Sequence, residues 1–478
     1  MMRGVMLLVK PAVIPTLDTG FAPASLWNRE FRRFIDDDRG ARPFILALEQ
    51  PGAGGEAGVV SRHESRVLGA GHPAVALNFE YAERLLKFLL WQRGGCRVYV
   101  AGAPEIAARL ARIYSSGGGR AFDCDIMGAK IYGRDFEVVE TALDAVPATR
   151  DSGAALGRNL DGCRIGFDIG GSDRKAAALI DGRVVFSEEI SWDPYFQKDP
   201  AYHIEGVHDS LRRAAAHLPR VDAIGGSAAG VYVNNEVRVG SLFRGVPPEL
   251  FERDIRRMFF TLRERWGGVP FEVVNDGEVT ALAGSMALGS GAVLGVSMGT
   301  SMAGGYVRPD GAITPWLNEL AFAPVDYRDG AEAPRDEWSG DRGCGVQYFS
   351  QQGVARLAGA AGFDFPGAMP AAERLVAVQE ALAGGGERAA RIYETIGVCF
   401  GYAIAHYAEF LEIKHVLALG RVTSGAGGGI LLEKAREALR AEFPALAEKI
   451  RLSMPDEKDK RHGQAVAAAS LPRLEMKK

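Results

Sequence analysis

The chain has few cysteines and no excess of positive charge. Its five cysteines, Cys96, Cys124, Cys163, Cys344 and Cys399, are far apart and odd in number, which argues against a disulfide framework and fits reduced, buried thiols. A formal net charge of −4, from 56 Lys and Arg against 60 Asp and Glu, supplies no basic field. No stripe of Lys and Arg interleaved with aromatics occurs either, so nucleic acid is not an expected partner. Apolar runs of roughly 18 residues, the length that a membrane helix needs, are absent. Met1 to Val13 is briefly apolar but is broken by Lys10 and Pro11 and lacks a small-residue cleavage site, a poor signal peptide that points to the cytoplasm. With 478 residues, 47% of them hydrophobic and 24% charged, the chain reads as a globular protein of about three domains.

What is present is glycine placed in turns. Ile165-Gly166-Phe167-Asp168-Ile169-Gly170-Gly171-Ser172-Asp173-Arg174-Lys175-Ala176 is an apolar strand, a Gly-Gly-Ser turn and a second strand. Gly170 and Gly171 let the backbone turn tightly and approach a ligand. The Ser172 hydroxyl and neighbouring amides can donate to phosphate oxygens, and Asp168 can hold a hydrated Mg²⁺. Alone, such a segment is equally a plain tight hairpin. A second one, Leu294-Gly295-Val296-Ser297-Met298-Gly299-Thr300-Ser301-Met302-Ala303-Gly304-Gly305, repeats the pattern about 125 residues further on. Two such hairpins can grip a polyphosphate from both sides. Between them, the apolar strand Pro270 to Val274 ends in Asn275-Asp276 before the helical segment Val279 to Ala287, which puts Asp276 at a strand end.

The order of these pieces resembles the superfamily that joins sugar kinases with actin, and within it the ROK family of sugar kinases and related repressors. The resemblance implies an α/β fold: two ribonuclease-H-like, actin-like ATPase lobes around a cleft, here with an added N-terminal α/β domain. It implies that both hairpins bind the β- and γ-phosphates of ATP through Gly170, Gly171, Ser172, Gly299, Thr300 and Ser301, that Asp276 is the catalytic base and that Asn275 is a sugar ligand. Lys175 is either a further phosphate contact or a surface lysine. Ala223 to Gly230 is similar to the family's strand and turn that shape the sugar site, which points to Ser227 and Gly230. His415 to Gly429 resembles the adenosine-binding strand and loop, with Gly420, Ser424 and Gly425. The reaction so implied is in-line transfer of phosphate from ATP, with Mg²⁺, to a hydroxyl of a small sugar substrate. A homodimer is compatible with this reading. The alternative is a nucleotide- and sugar-binding regulatory protein with weak turnover, and a third class is another phosphotransfer or hydrolytic member.

Departures from the family accompany the resemblance. Glu319-Leu320-Ala321-Phe322 falls where many ROK proteins have Glu-Ile/Leu-Gly-His, so Glu319 can still bind a sugar hydroxyl while Phe322 replaces the histidine. Of the zinc-binding cysteine cluster only Cys344 remains, too few ligands for a tetrahedral site, and no structural zinc is expected. The glutamate that often follows that cluster is replaced by Val346 or Gln347.

Ala145 to Arg158 reads as a linker, which divides the chain into an N-terminal α/β domain (1–150), a first lobe (151–290) and a second lobe (291–478), the last helix returning to the first lobe. The repressor branch carries an N-terminal helix-turn-helix, whereas strand-like Val5 to Val9 and Pro43 to Glu49 stand here. Asn78 to Trp91 and Pro104 to Tyr114 have helical patterns around the strand Arg97 to Ala101, and Arg388 to Glu412 has another. The turn Leu46 to Gly55 lacks a hydroxyl and reads as a plain loop. Trp192, Trp316 and Trp338, and His203 and His208, read as packing or solvated residues before ligand contacts.

Overall fold

The computed structural model describes residues 7, 9–52, 57–151, 156–455 and 457–474. Most of the expected strand Val5 to Val9, the Ser152–Ala155 part of the expected linker and the Gly54-Gly55 end of the N-terminal loop lie outside the described residues. The chain divides into two compact units. One takes in the described residues of Met1–Ser152, Val296–Gly304 and Trp316–Met454; the other takes in those of Gly153–Gly295, Gly305–Pro315 and Pro455–Lys478.

The second unit is built on a five-stranded sheet with the order Phe271–Asn275, Ala223–Ala228, Cys163–Ile169, Asp173–Ile180, Arg183–Ser191. Numbered along the chain this is 3-2-1-4-5 read from the other edge. Only Asp173–Ile180 runs against its neighbours, because it pairs antiparallel with both the first and the third strand while the remaining pairs are parallel. That is the ribonuclease-H-like arrangement. Every residue of Cys163–Ile169 and of Ala223–Ala228 is buried, as befits central strands covered on both faces. On one face lies helix Glu457–Ala469, so close that a Cβ on Gly166 would stand 1.7 Å from the Ala465 carbonyl oxygen and one on Gly225 the same distance from that of Ala468. Two glycines on adjacent strands thus set the helix backbone directly on the sheet. On the other, Val207, Leu211 and Ala214 of helix Pro200–Ala215 join Phe167, Phe259 and Phe271 in the core.

The first unit carries two four-stranded sheets. One has the order Val60–Val67, Arg42–Glu49, Arg97–Ala101, Glu137–Thr141, and the other the order Met302–Val307, Val293–Met298, His415–Leu419, Arg451–Ser453, of which Val293–Gly295 and Gly305–Val307 are counted with the second unit. The segment 1–150, expected as a domain of its own, groups by its contacts with 316–454. Arg32 forks onto both carboxylate oxygens of Glu409 at 3.0 Å, and Ala24 donates its N–H to the Val325 carbonyl at 3.0 Å. Phe88 packs at 4.5 Å on both His406 and Phe410. The physical reason lies in helix Leu77–Arg93. Its apolar stripe, Phe79, Ala82, Leu85, Leu86 and Leu89, suits a surface helix, yet the helix is buried almost all round, including Arg84 and Lys87. Their charges are met by Glu83, Asp123 and Asp341, with Lys87 Nζ 2.5 Å from Asp123 and Arg84 3.3 Å from Asp341. A polar face that finds buried partners no longer needs solvent.

Candidate active site

In the second unit, Asp168 sits at the end of the central strand and is buried. Ser227, on the parallel neighbour and in register with it, donates its hydroxyl to Asp168 Oδ1 at 2.5 Å. Lys175, opposite Asp168 in the hairpin, places Nζ 3.7 Å from Asp168 and 2.9 Å from Asp173. Burial pushes the Asp168 carboxyl above its usual range despite these partners. The Gly-Gly-Ser turn joins Cys163–Ile169 to Asp173–Ile180, closed by a hydrogen bond from Gly170 N–H to the Asp173 carbonyl at 3.0 Å. Ser172 gives its hydroxyl to Asp173 at 2.8 Å, and Trp192 donates Nε1–H to the Gly170 carbonyl at 2.8 Å. A Cβ at Gly170 would be in ordinary contact with the Asp173 carbonyl oxygen at 3.5 Å, whereas at Gly171 that position is 1.9 Å from the Tyr195 hydroxyl.

Strand Phe271–Asn275 runs directly into helix Asp276–Leu288. Asn275 is the N-cap, its side-chain oxygen accepting from Gly277 N–H at 2.7 Å while its amide nitrogen donates to the Gly230 carbonyl at 2.7 Å. Gly230, with φ 131°, must be glycine because a Cβ would stand 2.4 Å from the Val239 carbonyl oxygen. Asp276 occupies the first helical position, where the helix dipole favours a carboxylate. Burial and the negative charge of Asp168 outweigh that and the Gly277 N–H bond, and push Asp276 up to about 6. Burial, and then the Asp276 carboxylate, hold the Tyr232 phenol above its usual range.

In the first unit, the Gly299-Thr300-Ser301 turn joins Val293–Met298 to Met302–Val307, with Gly299 N–H bonded to the Ser301 carbonyl at 2.8 Å and its own carbonyl accepting from Gln351 N–H at 2.9 Å. Thr300 and Ser301 are exposed. Gly420 follows strand His415–Leu419 with φ 99°, and a Cβ there would lie 2.5 Å from the Met298 carbonyl oxygen. The loop of Gly420, Ser424 and Gly425 is thereby brought against the second hairpin. Ser424 and Gly425 are exposed and lead into helix Ala426–Glu442. Glu319, half-buried, donates its backbone N–H to the Trp91 carbonyl at 2.9 Å. Phe322 stacks on Trp91 at 4.2 Å.

Cys344 is buried, its thiol pushed well up by burial. Among the described residues no group of three or more His, Cys, Asp or Glu is placed to hold a metal ion. A Mg²⁺ held by Asp168 would therefore take most of its oxygens from water and phosphate, as this ion ordinarily does. His203 is a packing residue, its Nε2 lying 3.1 Å from both the Pro194 and Leu242 carbonyls. Trp338 is exposed, and Arg93 lies 3.5 Å over the Trp316 ring. Sequence reasoning did not find Tyr195, Tyr232, Gln351 or the Trp91–Arg93 turn. The aromatic pair Tyr195-Phe196 in a polar loop was a signal; the others carry none, since their neighbours are distant in sequence.

No protein-family profile matches the chain, and no curated protein does. Solved structures do. A ROK hexokinase from Thermus thermophilus aligns over 65% of this chain and 97% of its own, at 19% identity with a TM-score of 0.51. A ROK family glucokinase from Streptomyces griseus, in complex with glucose and AMPPNP, covers 65% of this chain and 99% of its own at 19% identity and TM-score 0.46. A ROK family transcriptional regulator, a homologue of the E. coli MLC protein, covers 65% and 79% at 19% identity and TM-score 0.48. No helix among the described residues is long and apolar enough to cross a membrane.

Proposed function

We propose that this chain, which over 65% of its length has the fold of a ROK hexokinase, transfers phosphate from ATP to a hydroxyl of a sugar or sugar derivative. The observation that carries the reading is Asp276, a half-buried carboxylate at a strand–helix junction whose pKa is raised to about 6. A sugar hydroxyl is a poor nucleophile until its proton is accepted, and a base that titrates near neutrality is matched to that task. Asn275, locked by Gly277 and Gly230, orients the acceptor beside it, with Gly230 shaping the turn. Ser227 acts through Asp168, whose orientation it holds. Gly170, Gly171 and Ser172, and likewise Gly299, Thr300 and Ser301, are assigned to phosphate oxygens, with Lys175 held at the first hairpin by Asp168 and Asp173. Gly420, Ser424 and Gly425 are assigned to the nucleoside, and Glu319 to an acceptor hydroxyl. Mg²⁺, when bound, neutralises charge on the phosphates.

A second reading, a nucleotide- and sugar-binding regulatory protein with weak turnover, is favoured by Phe322, whose ring is committed to Trp91 and Phe122 and offers no polar group. Coupled ADP release with MgATP and a panel of glucose, mannose, N-acetylglucosamine and glycerol separates the two. Acceptor-stimulated ADP release supports the kinase. Binding of AMPPNP and sugar without it supports the regulator.

A further inference from the structure

The backbone that presents Glu319 is held in a conformation that side chains seldom adopt. Asn318, immediately before it, has φ 47° and is 1% exposed. Asparagine bears the left-handed region better than other non-glycine residues, but the conformation still persists only where its surroundings impose it.

Those surroundings are the last turn of helix Leu77–Arg93. The final carbonyls of a helix have no partner within it, and here each is used. Trp91 accepts from Glu319 N–H at 2.9 Å, Gln92 from Asn318 N–H at 3.0 Å, and Arg93 from the Gln50 side-chain amide at 2.7 Å. Gln92, fully buried, also donates its side-chain amide to Asn318 Oδ1 at 3.4 Å. Its other end is fixed in turn, since Arg93 Nε donates to Gln92 Oε1 at 2.6 Å. The Arg93 guanidinium is anchored on the Phe410 carbonyl at 2.9 Å and over the Trp316 ring at 3.5 Å. Trp91 closes the far side by stacking on Phe322 and donating Nε1–H to Asp123 at 2.7 Å. The loop from Trp316 to Phe322 is thus gripped at both ends and in the middle by three consecutive residues.

We infer that this helix turn positions Glu319, and that Gln92 is the residue through which the N-terminal segment sets acceptor affinity. The inference rests on the proposed function, in which Glu319 meets an acceptor hydroxyl. Gln92 touches no substrate and acts through Asn318, so its effect belongs to acceptor binding alone. A carboxylate displaced by even a fraction of an ångström loses much of a directed hydrogen bond.

The test is steady-state ADP release by the full chain carrying Gln92→Met, which keeps the length and apolar bulk of the side chain, or Gln92→Ala, over the same acceptor panel. The acceptor KM is expected to rise about tenfold while the MgATP KM and kcat stay within about twofold. A merely structural turn would lower the melting temperature without this split. An unchanged acceptor KM in Gln92→Met overturns the inference, as do equal changes in both KM values or failure of both variants to fold. Absence of acceptor-stimulated ADP release in the parent overturns the underlying reading instead, and the inference with it.

Discussion

Replacing Asp276 with asparagine should make the protein more stable and nearly inactive. The carboxyl is raised from 3.8 to about 6 by burial and by Asp168, which corresponds to about 3 kcal/mol against its ionised form at neutral pH. Folded Asp276 binds its proton more tightly than unfolded Asp276. Its contribution therefore favours the folded state at pH below about 4 and is lost as pH rises through about 6. The amide of Asp276→Asn carries no charge at any pH and keeps an oxygen for the Gly277 N–H, now bonded at 2.9 Å. Allowing for imperfect fit, about 1–3 kcal/mol should be recovered at pH 7.5, a rise of a few degrees in melting temperature. The assay is thermal melting of parent and variant from pH 4 to 8. Carboxylates remote from the site titrate equally in both, so the difference reports Asp276 together with its coupling to Asp168. The gap should be near zero at pH 4, open through pH 5 to 6 and be flat above about pH 7. In parallel, turnover should fall about 10²- to 10⁴-fold while AMPPNP and sugar still bind. A variant less stable than its parent at pH 7.5, or a gap that does not change with pH, would refute the burial argument; turnover within about tenfold of the parent would refute the assigned role.

Four further outcomes are expected. Asp168→Asn should shift the acid limb of the parent's kcat/KM profile, expected near pH 6, to lower pH by removing the like charge beside Asp276; an unmoved limb would show that Asp168 does not tune the base. Gly171→Val should weaken AMPPNP binding in calorimetry with little loss of fold, because its Cβ meets the Tyr195 hydroxyl at 1.9 Å and the ring at 2.5–2.8 Å and only that side chain must move; unchanged affinity would leave the hairpin a purely structural turn. Gly420→Ala should cost about 2–4 kcal/mol and nucleotide affinity together, since a Cβ at φ 99° would press on Met298 backbone that cannot yield; a melting temperature equal to the parent's would contradict this. Purified protein should be free of zinc by elemental analysis, because Cys344 is surrounded by Lys87, Arg84 and Asp341 and not by further thiols. Stoichiometric zinc lost together with thermal stability in Cys344→Ser would overturn it.

What the amino-acid sequence determined by itself is what local chemistry can determine. Strand Arg97–Ala101 and helix Pro104–Ile113 are legible because apolar spacing and a proline at the first helical position act over a few residues. The two Gly-hydroxyl turns are legible because a tight turn between apolar strands needs glycine whatever surrounds it. The junction of Phe271–Asn275 with Asp276–Leu288 is legible because an apolar strand ends in the polar pair Asn275-Asp276 before a helical pattern, although the helix starts at Asp276 and not at Val279, where the pattern placed it. Tertiary structure decided the rest. The apolar pattern of helix Leu77–Arg93 does not state what its polar face meets, and only Glu83, Asp123 and Asp341, the last of them about 250 residues away, make its burial tolerable. Gly166 and Gly225 look like flaws in strands until the helix that ends the described chain rests on them. The basicity of Asp276 depends on burial and on Asp168, more than 100 residues earlier. Burial, charge coupling and close backbone approach are relations between distant parts of the chain, and a sequence names the parts without stating which of them meet.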